Sequence, residues 1–184
     1  MNGRSSPNSS PAQARYAARV IAIREAVPAD GDALGEIHAA AWEAAYGPFF
    51  APEFVARAVR DRRTRWHARI ADGTGTLLLA TLDDRPSALS RSLPSPTRPG
   101  LAELHSFYGH PDGWGTGVAA ALMTATLHRL RADGHTRVHL WTVRDTPRAR
   151  RFYARCGFTE SGATRVVDYG DGTPIAQVEY ERIC

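Results

Sequence analysis

The chain contains no lysine; all 23 of its basic residues are arginine. That absence removes several classes of chemistry. A Walker A loop needs its lysine on the nucleotide phosphates. Schiff-base catalysis, and with it ordinary pyridoxal-phosphate chemistry, needs a lysine amine. A serine–lysine nucleophile pair is excluded in the same way. Cysteine is almost as scarce. Cys156 and Cys184 are the only two. They are too far apart for a paired metal-ligand motif and too few for the disulfide framework of a small secreted domain. No apolar run approaches the roughly 20 residues of a membrane span. The polar stretch Met1–Ser10 lacks the apolar segment of a signal peptide. These absences predict a soluble, cytoplasmic protein with no metal site and no membrane partner.

Net charge is +4 over 184 residues, a small surplus. The arginines are dispersed except in residues 60–69 and 144–155, and no nucleic-acid docking motif accompanies them, so no nucleic-acid partner is expected. The length suits one domain. Residues 1–18 are Ser, Pro, Asn, Ala and Arg without apolar periodicity, which predicts a disordered leader before a single domain over 19–184.

From Val20 the pattern becomes regular. VIAIREA reads as a strand. Leu34, Ile37, His38, Ala41, Trp42 and Ala45 mark one face of a helix that Gly47-Pro48 ends. A second helix is expected from Pro52 to about Ile70, with the first arginine cluster on its outer face. Thr76–Leu82 and Pro86–Arg91 read as a hairpin around Asp83-Asp84. A proline-rich loop leads to a strand at Leu101–Tyr108, on which alternation puts Leu101, Glu103, His105 and Phe107 on one face. After a glycine-rich loop, Val118–Ala132 is a helix closed by Asp133-Gly134. Arg137–Val143 is a strand, and Thr146 caps a helix over Arg148–Arg155 with Pro147 at its first position. Strands Thr164–Tyr169 and Ile175–Arg182 finish the chain. This order implies an α/β fold with a mixed sheet flanked by helices.

The stretch HPDGWGTGVAAALM carries the most chemical information. A strand enters a glycine-rich turn, and the turn opens a helix. Gly115, Gly117 and the small Ala119 let backbone N–H groups approach a ligand closely, and the helix dipole favours an anion such as a pyrophosphate. Thr116 adds a hydroxyl donor. Gly115-x-Gly117-x-x-Ala120 also fits a dinucleotide-binding fingerprint, which places a Rossmann-type reading beside the others.

Three segments together resemble the GNAT superfamily of N-acetyltransferases. Pro111-x-x-Trp114-Gly115-x-Gly117-x-Ala119-x-x-Leu122 looks like that family's coenzyme-A loop, with Trp114 in the Gln/Arg position, Gly117, Val118 and Ala119 following. LWTVRDTPRARRFYARCGF is similar to its L-W-V-x-x-x-N-x-R-A-R-x-F-Y-x-x-x-G-F segment, with Thr146 in place of Asn. IREAVPADGDALGEIHAAAWEAAY resembles its opening strand and helix. The resemblance implies a mixed, twisted central sheet with a V-shaped split between the Leu101–Tyr108 and Arg137–Val143 strands. It implies acetyl-CoA as co-substrate and an amine acceptor, small molecule or peptide, as partner. Homodimerisation is left open.

The site residues follow from the same resemblance. Gly115 to Ala119, with Trp114 and Thr116, hold the coenzyme. The strand end at Phe107, Tyr108 and Gly109 supplies backbone groups to the pantetheine and thioester, and Thr146 touches the pantetheine. Glu103 is the candidate base, with His105 as its rival on the same strand. Tyr153 is the candidate acid at the leaving sulfur. Trp42 and Tyr46 lie in the region that lines the acceptor pocket, where aromatic rings can hold a cationic amine. Cys156 is read as structural, since no acid–His pair is assignable to activate it. A degenerate acyl-CoA-binding module without turnover is the reading from a different class.

Overall fold

The computed structural model describes residues 19–184; the expected leader lies outside the described residues. Strand β1 is Ile21–Glu25, and helices α1 (Gly31–Tyr46), α2 (Pro52–Thr64) and α3 (Trp66–Ala71) follow it. Strands β2 (Thr76–Leu82), β3 (Arg85–Pro94) and β4 (Ala102–Gly109) precede helix α4 (Val118–Ala132). Then come β5 (Arg137–Val143), α5 (Pro147–Arg155), β6 (Thr159–Asp168) and β7 (Pro174–Ile183). The seven strands form one sheet in the order β1-β2-β3-β4-β5-β7-β6. Only β4 and β5 run parallel; the other neighbours are antiparallel. This is the expected mixed sheet. It is not the doubly wound parallel sheet that a dinucleotide fingerprint requires.

The helices cover both faces, which explains why β2 reads as an unbroken apolar run rather than an alternation. Leu79 of β2 packs with Leu34, Ile37, Trp66 and Leu89 on the α1/α3 face. Its neighbours Leu78 and Ala80 pack with Val118 and Leu122 of α4 on the other. Leu104, Met123, Leu127, Leu140, Tyr153, Phe158 and Val178 fill the space between the sheet and α4/α5. Each fully buried aliphatic side chain contributes about 1.5–3 kcal/mol.

Several boundaries differ from the sequence expectation. The second predicted helix is two helices that meet at Arg65. The bend lets Trp66 bury completely and donate its Nε1–H to His38 Nδ1 at 3.1 Å; no Gly or Pro marks it. β6 begins at Thr159, five residues early, and slips register between Glu160 and Thr164, where Gly162 takes φ +87°. Thr146 does stand at the N-cap of α5. Its hydroxyl, however, donates to Val143 O at 2.6 Å rather than accepting from the helix.

A larger correction concerns β4. Its register against β3 shifts: Arg91 faces Ser106 and Ser92 faces Leu104, so His105 is an extra residue in the strand. A bulge of this kind reverses the alternation beyond it. Phe107 therefore packs on the α4/α5 side, stacked on Phe152 with ring centres 5.4 Å apart. Tyr108 joins the α1/α3 side instead. Phe107 does not share the face of Glu103.

His38 ties that α1/α3 face together, stacking on Tyr108 with ring centres 4.1 Å apart while it accepts from Trp66. Burial, reinforced by Arg62, Arg65 and Arg69, pushes its pKa from 6.5 down to about 2. Between these values the unfolded chain binds a proton that the folded chain refuses. Stability is therefore full above pH 6.5 and declines as pH falls, by up to about 1.4 kcal/mol per pH unit for this group. Denaturant unfolding from about pH 7.5 down to pH 5 is expected to show a steeper loss in the wild type than in His38→Gln, which keeps an acceptor for Trp66 without the titration. Equal slopes in the two proteins would contradict this role.

Candidate active site

The site begins where two strands part. β4 and β5 pair at Ala102↔Val138 and Glu103↔His139 and nowhere further, although β4 continues to Gly109 and β5 to Val143. β5 stays paired with β7 along its whole length. Beyond Glu103, the N–H and C=O groups of β4 that alternate away from β3 have no strand partner. The split thus exposes a row of backbone donors and acceptors in the middle of a sheet. Glu103 stands at its vertex and is 8% exposed. Its charge reaches His105 on its own strand and Arg165 on β6. Burial lowers the His105 pKa below its usual 6.5, although Glu103 opposes the shift.

The glycine loop lies at the open end of β4. Gly115 and Gly117 have φ of +77° and +92°, a region that favours glycine, and a Cβ on either would meet nothing within 4 Å. The loop is therefore held by conformation and not by crowding, with open space above its backbone. Thr116 donates to Gly113 O at 2.7 Å, which fixes the turn. Val118, Ala119 and Ala120 begin α4, so their N–H groups have no partner within the helix. Trp114 donates its indole N–H to Gly109 O at 2.9 Å, tying the loop to the end of β4. The Arg148 guanidinium of α5 lies 3.4 Å from the centre of the Trp114 ring. The first-turn N–H groups of α4 and a guanidinium of α5 thus flank the open loop, a cradle of the kind that suits an anion.

Tyr153 lies on the same side of the sheet as that cradle. It is 8% exposed and surrounded by Phe107, Phe152, Phe158 and Tyr180. Burial, and next the neighbouring Tyr108, raise its pKa well above the usual phenol range. The phenol therefore keeps its proton more firmly than a free tyrosine does.

The opposite face is lined by α1, α2 and the β6–β7 turn. Tyr46 stacks on Tyr169 with ring centres 6.1 Å apart, and Phe50 meets both Trp42 and Tyr169. Tyr46 is half-buried, and burial raises its pKa well above 10. Trp42 lies behind these rings: it is 1% exposed, packs on Tyr46 and Phe50, and has the Arg62 guanidinium 4.0 Å from its ring centre.

Glu103 and Tyr153 belong to opposite faces of the sheet, and only the split joins these faces. The sequence reading missed Arg62, Tyr169, Arg148 and His38. Arg148 was hidden in an arginine cluster and Arg62 in the outer face assigned to its helix. His38 did register on the apolar stripe of α1, but its partner Trp66 comes from a bend that no residue type announces. Tyr169 sits beside Gly170-Asp171-Gly172, a composition that signals a turn and says nothing of the ring next to it.

Residues 34–158 match the acetyltransferase (GNAT) family model. Proteins of Mycobacterium tuberculosis and Mycobacterium bovis named as uncharacterized N-acetyltransferases are 33% identical over 135 residues, covering 72% of this chain and 85% of theirs. Among solved structures, the PaiA N-acetyltransferase of Thermoplasma acidophilum in complex with coenzyme A aligns at TM-score 0.68 and 18% identity, over 90% of this chain and 99% of that one. The yncA protein of Salmonella typhimurium with acetyl-CoA aligns at TM-score 0.64 and 20% identity, over 89% and 93%. By the family match and the relatives at 33% identity, the chain belongs to the GNAT family of acetyltransferases.

Proposed function

We propose that the protein is an acetyl-CoA-dependent N-acetyltransferase that passes the acetyl group directly from the thioester to a primary amine. The observation that carries this reading is the β4/β5 split, which opens beside an anion cradle on one face and an aromatic, arginine-bearing space on the other. Structural neighbours holding coenzyme A or acetyl-CoA support the choice of co-substrate. Acetyl-CoA supplies an activated acyl carbon and a thiolate leaving group.

The residues of this chain then divide the work. The loop amides from Gly115 to Ala119, with Val118 at the first turn of α4, bind the pyrophosphate; Trp114 and Thr116 hold the loop in shape. Backbone groups at Phe107, Tyr108 and Gly109 align the pantetheine and polarise the thioester carbonyl, and Thr146, at the start of α5, touches the pantetheine. Glu103 takes one proton from the ammonium, directly or through water; the free amine adds to the thioester carbon, the C–S bond breaks as Tyr153 gives its proton to the departing sulfur, and the phenol is restored by the second proton that the nitrogen sheds in becoming the amide. Direct transfer is favoured because Cys156 has no activating partner among the described residues, and burial raises its pKa rather than lowering it.

Calorimetry with acetyl-CoA and with NADP(H), followed by thiol release over an amine panel, tests the reading. Acetyl-CoA is expected to bind and the nicotinamide cofactor not to. Binding without thiol release on any amine would favour a non-catalytic acyl-CoA module. Tyr153→Phe is expected to lower kcat by about 10–10³-fold with little change in acetyl-CoA affinity. An unchanged kcat between about pH 6 and 9 would reduce Tyr153 to a packing residue. Glu103→Gln is expected to depress kcat/KM most at low pH, the loss shrinking toward the pKa of the amine, where free amine needs no base. A pH-independent loss would make Glu103 a positioning group and move the base to His105.

A further inference from the structure

The face of the split opposite the cradle is rich in guanidinium groups. The fields of Arg62, Arg65 and Arg69 reach His38 and Tyr108, and those of Arg69, Arg91 and Arg165 reach His105. Glu103 is the carboxylate whose charge both His105 and Arg165 feel. The cations other than Arg62 either pair with a carboxylate or keep access to solvent, Arg69 being half-buried and Arg165 exposed. Arg65 pairs with Asp61, and Arg91 pairs with Asp72. Arg165 donates to Gln177 Oε1 and lies over Trp141, and Arg69 lies over Trp66.

Arg62 is different. It is 7% exposed, and no carboxylate pairs with it among the described residues. Nη1 donates to Ala58 O one turn back in its own helix, at 2.9 Å. Nε is buried without a hydrogen-bond partner. The Trp42 ring covers one face of the guanidinium plane and offers Nε no acceptor. The other groups in its field are the phenols of Tyr46, Tyr108 and Tyr169, which line the acceptor space. A buried guanidinium normally has a carboxylate or phosphate within reach, because its forked donors match two oxygens at once.

We propose that Arg62 binds a carboxylate of the acceptor, so that the amine acetylated here belongs to a molecule that also carries an acid group. This rests on the acetyltransferase reading above. It makes polyamines and other purely cationic amines poor acceptors, since the arginines of this face repel them. The oxyanion chemistry is shared by a carboxylate and a phosphate, and the test separates the two.

The experiment compares leucine with leucinamide and isoamylamine, and adds phosphoethanolamine as the phosphate arm, in the intact protein saturated with acetyl-CoA. The expected result is a preference for acid over amide on the order of 10²-fold in kcat/KM. That preference should collapse toward unity in Arg62→Gln and recover in part in Arg62→Lys, with acetyl-CoA binding and the thermal transition monitored as folding controls. Equal use of acid and amide by the wild type, or a preference that survives Arg62→Gln, overturns the proposal; so does a preference for phosphoethanolamine over leucine. If no amine releases thiol, the acetyltransferase reading has failed. The carboxylate preference is then read from titration of N-acetylleucine and its amide onto the coenzyme-A-saturated protein, where equal affinities overturn it.

Discussion

The partial pairing of β4 with β5 is the constraint on which the rest of the site depends. Two residue pairs hold the strands together, and past them each strand is secured only on its outer side, β4 by β3 and β5 by β7. A sheet that opens in its middle leaves backbone polar groups without partners, normally an unfavourable outcome. Here the bulge at His105 re-aims the residues beyond it. Phe107 is sent to the α4/α5 side and Tyr108 to the α1 side. The widening gap is therefore walled by aromatic rings on both faces while its edge remains polar.

The all-arginine composition has a second structural effect. A planar, weakly hydrated guanidinium stacks on an aromatic face more readily than an ammonium does. Each of the four tryptophans carries one: Arg62 on Trp42, Arg69 on Trp66, Arg148 on Trp114 and Arg165 on Trp141. Such contacts are worth about 0.5–2 kcal/mol according to their exposure. They anchor α2 to α1, and α5 to the glycine loop. The surplus of positive charge is thus built partly into the packing of the site, beyond serving as a solvated coat.

Much of this architecture was legible in the residues. The order of strands and helices, the open loop at Gly115 and Gly117, and the hairpin at Asp83-Asp84 all follow from local chemistry. Both of those aspartates adopt the positive φ of a tight hairpin turn. What the sequence concealed were events set by tertiary contacts. The bulge at His105 has no glycine or proline to mark it and inverts a face assignment made from strict alternation. The bend at Arg65 exists because Trp66 reaches His38, twenty-eight positions away. Trp42 sat on the expected stripe, but its role depended on Arg62, which periodicity alone assigned to solvent.

The same arginines and buried phenols set the protonation behaviour of the cleft. His38 and His105 are lowered from 6.5, while Tyr46, Tyr108, Tyr153 and Tyr169 are raised from 10.0. Guanidinium groups hold their protons throughout that interval, where a lysine-lined cleft would begin to discharge near its upper end. Across three alkaline pH units, these groups present a constant electrostatic background. An incoming ammonium therefore gives up its proton in a field that these groups do not change while it does so.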